Sequence, residues 1–312
     1  MIVTEQLTKR YGEHLAVDSL DLSIRTGEIY GFLGPNGAGK TTTIHMLLNL
    51  LPPTSGSIAV LDETLTPRSF AFRQQIGVVA EEPAELTRMT GWELGAWFAR
   101  LYGVKAPERR LEELFHALDL WQARDVLARD YSRGMRQKLS LIRALVPEPK
   151  LLILDEPVSG LDPYGILQVR ELIHGFRDRG GTVFISSHIL SEVERSADRV
   201  GILFQGRLLI EDSIAGVRQR LGGGRRVVVE LERVPDVLVA RLQAEPFVVE
   251  VNENGRRLDL LLDGESDCRP RISQVITESG GTILGMESEE MSLEEAFMTI
   301  TNQNVARLAG AA

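Results

Sequence analysis

The stretch Gly34-Pro35-Asn36-Gly37-Ala38-Gly39-Lys40-Thr41 constrains this chain more than any other. It fits G-x-x-x-x-G-K-[ST], the phosphate-binding loop. Residues 28–33 ahead of it are an apolar run of strand length. Behind it, Ile44, Leu47 and Leu48 recur at helical spacing. Strand, glycine turn and helix form the setting in which that motif works. Glycines let the backbone close tightly around an anion. Successive N–H groups then form a nest at a helix N-terminus, where the macrodipole also favours negative charge. In such a loop Lys40 reaches the β- and γ-phosphates, the Thr41 hydroxyl sits on Mg²⁺, and Thr42 comes within reach of the α-phosphate. A nucleotide site is predicted.

The surrounding chain alternates strands and helices. Residues 2–7, 16–17 and 20–24 read as antiparallel strands leading into the loop. Tyr11 follows the first of them and either stacks on an adenine ring or packs on the sheet. A strand over 76–79 runs into the polar loop that carries Glu81. From there to about 145 the pattern is helical, with Leu94, Trp97, Phe98, Leu101 and Tyr102 on one face and Leu111, Leu114, Phe115 and Leu118 on another. Both stripes read as core.

Three further stretches carry chemistry. Tyr131-Ser132-Arg133-Gly134-Met135 opens a helix with Ser132 as N-cap, which is either a plain cap or an anion site. Residues 151–154 are unbroken apolar and end in Asp155-Glu156-Pro157. Such a run suits a central strand buried on both faces, and open α/β sheets place ligands at its carboxyl end. Asp155 there is placed to hold Mg²⁺ through water, and Glu156 to orient or deprotonate a water. Asp162-Pro163 starts another helix, and the strand over 182–187 ends at His188, a candidate for the γ-phosphate.

These elements occur in one order. They resemble the Walker A, signature, Walker B, D-loop and H-loop of ATP-binding-cassette (ABC) ATPases, over roughly residues 2–215. The resemblance implies an ATPase that uses ATP and Mg²⁺ and works as a head-to-tail homodimer. Each ATP is then sandwiched between the phosphate loop of one subunit (Gly34, Pro35, Asn36, Gly37, Ala38, Gly39, Lys40, Thr41, Thr42, with Tyr11 on adenine) and the signature of the other (Ser132, Arg133, Gly134, Met135). It makes Glu156 the catalytic base, His188 the γ-phosphate sensor, Asp162 part of the dimer seam, and Thr41, Asp155 and Glu81 the metal contacts. Two positions depart from the commonest pattern. The signature usually reads L-S-G-G-Q, and the loop at Glu81 usually carries Gln. Both variants resemble those of export-type cassettes, as does the stretch 292–297. Glu81 keeps an oxygen for Mg²⁺ but adds negative charge near the phosphates.

The implied fold is α/β, a P-loop ABC ATPase with a central mostly parallel sheet, an antiparallel β subdomain and a helical subdomain over about residues 82–145. Beyond a linker at Gly222-Gly223-Gly224 the order of elements is βαββαβ, with Asn254-Gly255 as a hairpin signal and Ser292 and Glu295 spaced as a capping box. This predicts an ATPase domain over 1–221 and a ferredoxin-like α+β accessory domain over 225–305.

Lys and Arg number 35 against 44 Asp and Glu, a net charge of −9, which argues against nucleic acid as partner. Cys268 is the single cysteine, so a reducing cytoplasm fits. No apolar run approaches the roughly 18–20 residues of a membrane span. The expected protein is the cytoplasmic ATPase of an exporter, peripheral on the inner face of the membrane through a separate permease. Leu86, Met89 and Trp92 are candidates for the groove that receives the permease. The alternatives are an importer ATPase with a ligand-sensing C-terminal domain and a soluble cassette without a transport role.

Overall fold

A computed structural model of the protein describes residues 1–81, 88–220, 226–262, 267–289, 292–295 and 297–298. Leu86, the glycine triplet 222–224 and residues 299–305 lie outside the described residues. In chain order the elements are β1 (Ile2–Tyr11), β2 (His14–Ile24), β3 (Ile29–Leu33), α1 (Lys40–Leu47), β4 (Ser55–Val60), β5 (Glu63–Thr64), β6 (Ile76–Val79), α2 (Gly91–Leu101), α3 (Glu108–Ala117), α4 (Arg133–Leu145), β7 (Leu151–Asp155), α5 (Pro163–Asp178), β8 (Thr182–Ser187), α6 (Leu190–Glu194), β9 (Arg199–Phe204) and β10 (Arg207–Ser213). There follow α7 (Ile214–Arg220), β11 (Arg226–Leu231), α8 (Leu238–Gln243), β12 (Val248–Asn254), β13 (Arg257–Leu262), α9 (Arg269–Glu278) and β14 (Ile283–Glu289).

Two compact units divide at Ser213/Ile214. The division falls ahead of the expected boundary at 221–225. Asp212 and Ser213 continue β10, where they pair with Val200 and Arg199 of β9. Helix α7 starts at Ile214.

In the first unit a six-stranded sheet runs β10-β9-β3-β8-β7-β6, and every neighbouring pair is parallel except β10 with β9. A second sheet, β2-β1-β4-β5, is antiparallel. The central strands are apolar on both faces because both faces are covered. Successive side chains on a strand point to opposite sides. Leu152 and Leu154 of β7 and Val183 and Ile185 of β8 therefore join one core with Phe115, Ile142 and Ile173 from the helices. Ile153 and Phe184 join the other, with Phe32 of β3, Ile44 and Met46 of α1 and Leu22 of the antiparallel sheet. Buried on both faces, these strands hold their register, and their carboxyl ends cannot drift apart.

The helical region packs as expected around Leu111, Leu114, Phe115 and Leu118, all buried. The stripe on α2 is a correction. Leu94 is buried, but Trp97 is 42% and Leu101 64% exposed. The buried side of α2 is Gly91, Leu94, Gly95 and Ala99, small residues that let the helix approach its neighbours closely. A stripe of five large side chains is wider than the arc so close a contact covers. Met89 and Trp92, considered for the permease groove, pack against the helical core.

The second unit has the order β11-α8-β12-β13-α9-β14 and a sheet β12-β13-β11-β14 in which all described pairs are antiparallel. Gly255 turns the β12–β13 hairpin at φ +64°. Ser292 accepts the Glu295 N–H at 3.2 Å while Glu295 accepts the Ser292 N–H at 2.9 Å, the reciprocal cap the spacing predicts.

Phe184 sits at the centre of the main sheet, fully buried, with ring centroids 5.9 Å from Tyr30 and 5.3 Å from Phe32. Phe184→Ala should destabilise the first unit by about 3–5 kcal/mol, and Phe184→Leu by less than about 1.5 kcal/mol. Denaturant unfolding followed by tryptophan fluorescence checks this, since all three Trp lie in that unit. An unchanged midpoint for Phe184→Ala would contradict the packing described.

Candidate functional site

The parallel register brings three chain turns together. Leu33 pairs with Ser187, and Asp155 with Ser186, so β3, β7 and β8 end at the same level. Residues 34–39 turn from β3 into α1, Glu156 follows β7 and His188 follows β8. Gly39 caps α1 at φ +108°, and a Cβ there would collide with the Ala16 carbonyl, so this turn requires glycine. Tyr11, Pro35, Asn36, Gly37, Thr41 and Thr42 line a cleft of about 420 Å³ with Lys40, Glu81, Asp155 and Glu156. Gly34 and Ala38 are buried behind that lining. Tyr11 is 48% exposed, with Lys9 Nζ 5.3 Å from its ring centroid. It stands at the cleft rather than packed beneath the sheet.

Lys40 is 7% exposed. Its Nζ donates to the Gly34 carbonyl at 2.8 Å and to the Pro35 carbonyl at 3.4 Å, and lies 3.9 Å from Glu156 Oε1. Burial pulls the Lys40 ammonium below the usual lysine range, against the opposing pull of Glu156, Asp155 and Glu81. An ammonium so desolvated gains most from an arriving polyanion.

Asp155 and Glu156 are adjacent in sequence but face different partners. Asp155 accepts from the Thr41 hydroxyl at 3.2 Å and from the Ser186 hydroxyl in a short contact. Glu156 adopts φ +50°, uncommon for a residue with a side chain, and its N–H donates to the Ser186 carbonyl at 3.1 Å. That turn aims the carboxylate at Lys40 and His188. His188 Nδ1 lies 2.9 Å from Glu156 Oε2, with half of the imidazole open to solvent. The Glu156 carboxylate, 5% exposed, thus stands at the cleft beside an ammonium and an imidazole.

The donor set fits Mg²⁺. Thr41 and Asp155 present a hydroxyl and a carboxylate oxygen on one side of the cleft. Mg²⁺ keeps most of its waters and takes one or two protein oxygens plus the phosphates of its substrate. Among the described residues no group of three or more His, Cys, Asp or Glu forms a dedicated metal cage. Glu81 lines the same cleft from the end of β6.

The signature stretch stands apart from that cleft. Ser132 caps α4 and accepts the Met135 N–H at 3.2 Å. Tyr131 is buried and donates to the Ala123 carbonyl at 2.7 Å, and burial pushes its phenol up to about 12. Asp162 caps α5 by accepting the Gly165 N–H at 2.8 Å. Neither Ser132, Gly134 nor Asp162 lines the chain's own cleft.

Sequence reading missed several partners. Ser186 and Ser187 orient Asp155 and Glu156, Ser187 from 3.5 Å. Gln137 donates to the Glu156 and Pro157 carbonyls at 3.3 and 3.2 Å. His14 lines the cleft beside Tyr11. The polar pair ending an otherwise apolar β8 was the available signal for the serines.

The family model described as ABC transporter matches residues 17–159. A bacitracin transport ATP-binding protein of Bacillus licheniformis is 36% identical over 96% of this chain and 97% of its own length. The chain belongs to the ATP-binding subunits of ABC transporters. A daunorubicin resistance ATP-binding protein of Streptomyces coeruleorubidus is 31% identical over 97% of the chain and 96% of its own. A solved ATP-binding subunit of an ABC transporter superposes with TM-score 0.68 at 29% identity, over 71% of this chain and 93% of that one. The fold is thus the P-loop ABC ATPase with its mixed sheets and helical subdomain, in a family that uses Mg-ATP. Among the described residues no helix is long and apolar enough to cross a membrane.

Lys40 gives this ABC subunit a pH signature. A bound phosphate favours the ammonium that burial disfavours, so the bound state holds the Lys40 proton more tightly than the free state. Nucleotide affinity should be full below the lowered Lys40 pKa of the free protein and fall as pH rises through it. Lys40→Met should weaken ADP binding about 10–100-fold at neutral pH and flatten this dependence. Calorimetric titration of ADP across pH checks both, and a parallel pH profile in Lys40→Met would contradict the assignment.

Proposed function

We propose that the protein is the ATP-hydrolysing subunit of an exporter, working as a head-to-tail homodimer on a separate membrane permease. The observation that carries this reading is the gathering of Lys40, Asp155, Glu156 and His188 around one cleft while Ser132 and Gly134 lie away from it. A cleft with a base and a metal face but without the signature is complete only when a second copy supplies Ser132, Gly134 and Met135 across the nucleotide. In this reading Tyr11 stacks on adenine, and the phosphate loop 34–42 holds the phosphates through Lys40 and its backbone N–H groups, Pro35 having none. Thr41, Asp155 and Glu81 would hold Mg²⁺, which would supply charge neutralisation at the phosphates. Glu156 takes a proton from the attacking water, His188 senses the γ-phosphate, and Asp162 lines the seam.

Export is favoured by the relatives. Those aligned over nearly the whole chain include proteins named for bacitracin transport, daunorubicin resistance and linearmycin resistance. Those names cite three different molecules, which fits a substrate path that belongs to the permease. The second unit is proposed as a ferredoxin-like accessory domain over 225–305, following an ATPase domain over 1–221. Its support is the βαββαβ order with strands arranged β12-β13-β11-β14.

Ser132→Arg tests the shared site, because it leaves each chain's own phosphate loop intact. The variant should bind ADP as wild type does and lose about 10²–10³ in ATP turnover, the scale for removing a preorganised transition-state donor. Turnover at the wild-type rate would contradict a composite site. Co-expression with a membrane protein encoded beside this gene, followed by co-purification, tests the permease.

A further inference from the structure

Arg133 stands where this family's commonest signature has glycine, and its side chain is committed within its own chain. Nη2 donates to Ser159 Oγ at 2.9 Å. The stem lies along Gly160, which has φ +77°; a Cβ there would be 2.9 Å from both Arg133 Cδ and Nε. The left-handed backbone there favours glycine, and the Arg133 stem packs against its bare Cα. Next to Arg133, a Cβ on Gly134 would stand 3.2 Å from the Gly160 carbonyl and 3.4 Å from Leu161 Cδ2. The first turn of α4 therefore rests on residues 159–161.

Those residues continue the turn that aims Glu156. The Ser159 N–H donates to the Glu156 carbonyl at 3.1 Å, and the Leu161 N–H to the Val158 carbonyl at 3.2 Å. Gln137, one helical turn beyond Arg133, donates to the Glu156 and Pro157 carbonyls. Helix α4 thus grips the Glu156 turn at both ends, through Gln137 at its start and Arg133 at Ser159. Glu156 sits at positive φ, a backbone state that persists where its surroundings fix it.

We propose that Arg133 is a positioning residue that couples the two nucleotide sites of the dimer through Ser159. The proposal rests on the composite-site reading above. Ser132 serves the ATP held by the partner, whereas Glu156 serves the ATP held by its own chain. Arg133 adjoins Ser132 and is tied to the Glu156 turn. Engagement of one ATP by Ser132 then sets the Glu156 turn at the other, and the two sites hydrolyse cooperatively. Coupling of this kind needs one element with two arrangements biased from both sites; the α4 turn together with residues 156–161 is that element.

Ser159 is partly exposed and lies outside the nucleotide cleft, so it can be changed without cutting into the core. The experiment is ATP hydrolysis against ATP concentration for the full-length protein, together with ADP affinity by calorimetry. Wild type should show a Hill coefficient approaching about 2, the number of sites. Ser159→Ala and Arg133→Met should each bring it toward about 1, and the double variant no further, because both remove one link. Ser159→Thr keeps the hydroxyl and should keep the cooperativity. ADP affinity should stay within about twofold of wild type in all of them, since each phosphate loop is untouched. A cooperative wild type with equally cooperative Ser159→Ala and Arg133→Met would overturn the coupling alone. A Hill coefficient of 1 in wild type would also overturn the coupling, whereas the two-site reading itself falls only if Ser132→Arg turns over ATP at the wild-type rate.

Discussion

The site depends on one ion pair and on the strands that hold it. Lys40 and Glu156 are both almost fully buried, 3.9 Å apart, and come from turns far separated in the chain. Two opposite charges in so little water are stable only where other polar groups share the load. Here the Gly34 and Pro35 carbonyls take Lys40, and His188 and Ser187 take Glu156. None of those partners is adjustable. Each is delivered by the carboxyl end of a strand buried on both faces, so the geometry of the pair follows from the packing of Phe184, Leu154 and Phe32.

Charge explains the division of labour between the neighbouring carboxylates. Asp155 ends β7 in regular geometry and meets two hydroxyls, a setting suited to a hydrated cation. Glu156 breaks from the strand at positive φ and meets an ammonium and an imidazole instead. Two adjacent residues of similar chemistry are thereby pointed at different tasks by a single backbone dihedral. The same helix that Ser132 caps holds that turn through Gln137, which ties the start of α4 to the backbone at Glu156.

The fold and the placement of the candidate site residues were legible because their signals are local. A glycine nest needs glycines in a row, and a buried parallel strand needs an unbroken apolar run ending in its functional residues. Asp155, Glu156 and His188 could be placed at strand ends from sequence alone for that reason. Pairings through space leave no such trace. Nothing in the spacing of Arg133 and Ser159 announces a hydrogen bond, and the shape of α2 depended on how closely Gly91 and Gly95 let it approach. Trp97 and Leu101 carried the right period and the wrong burial, since periodicity marks a face without fixing how much of it is covered. Asp212 and Ser213 are poor strand formers by type and are held at the end of β10 by pairing with β9.

The central claim is that Glu156, fixed by Lys40 and His188, serves as the base for the water that attacks ATP. Glu156→Gln keeps the shape and removes the proton acceptor. Steady-state ATPase activity of that variant, measured beside its ATP affinity, is the most direct test. Turnover lower by about 10²–10⁴ with ATP still bound is the predicted result. Hydrolysis at the wild-type rate would take Glu156 out of the chemistry and leave its buried pair with Lys40 a purely structural contact.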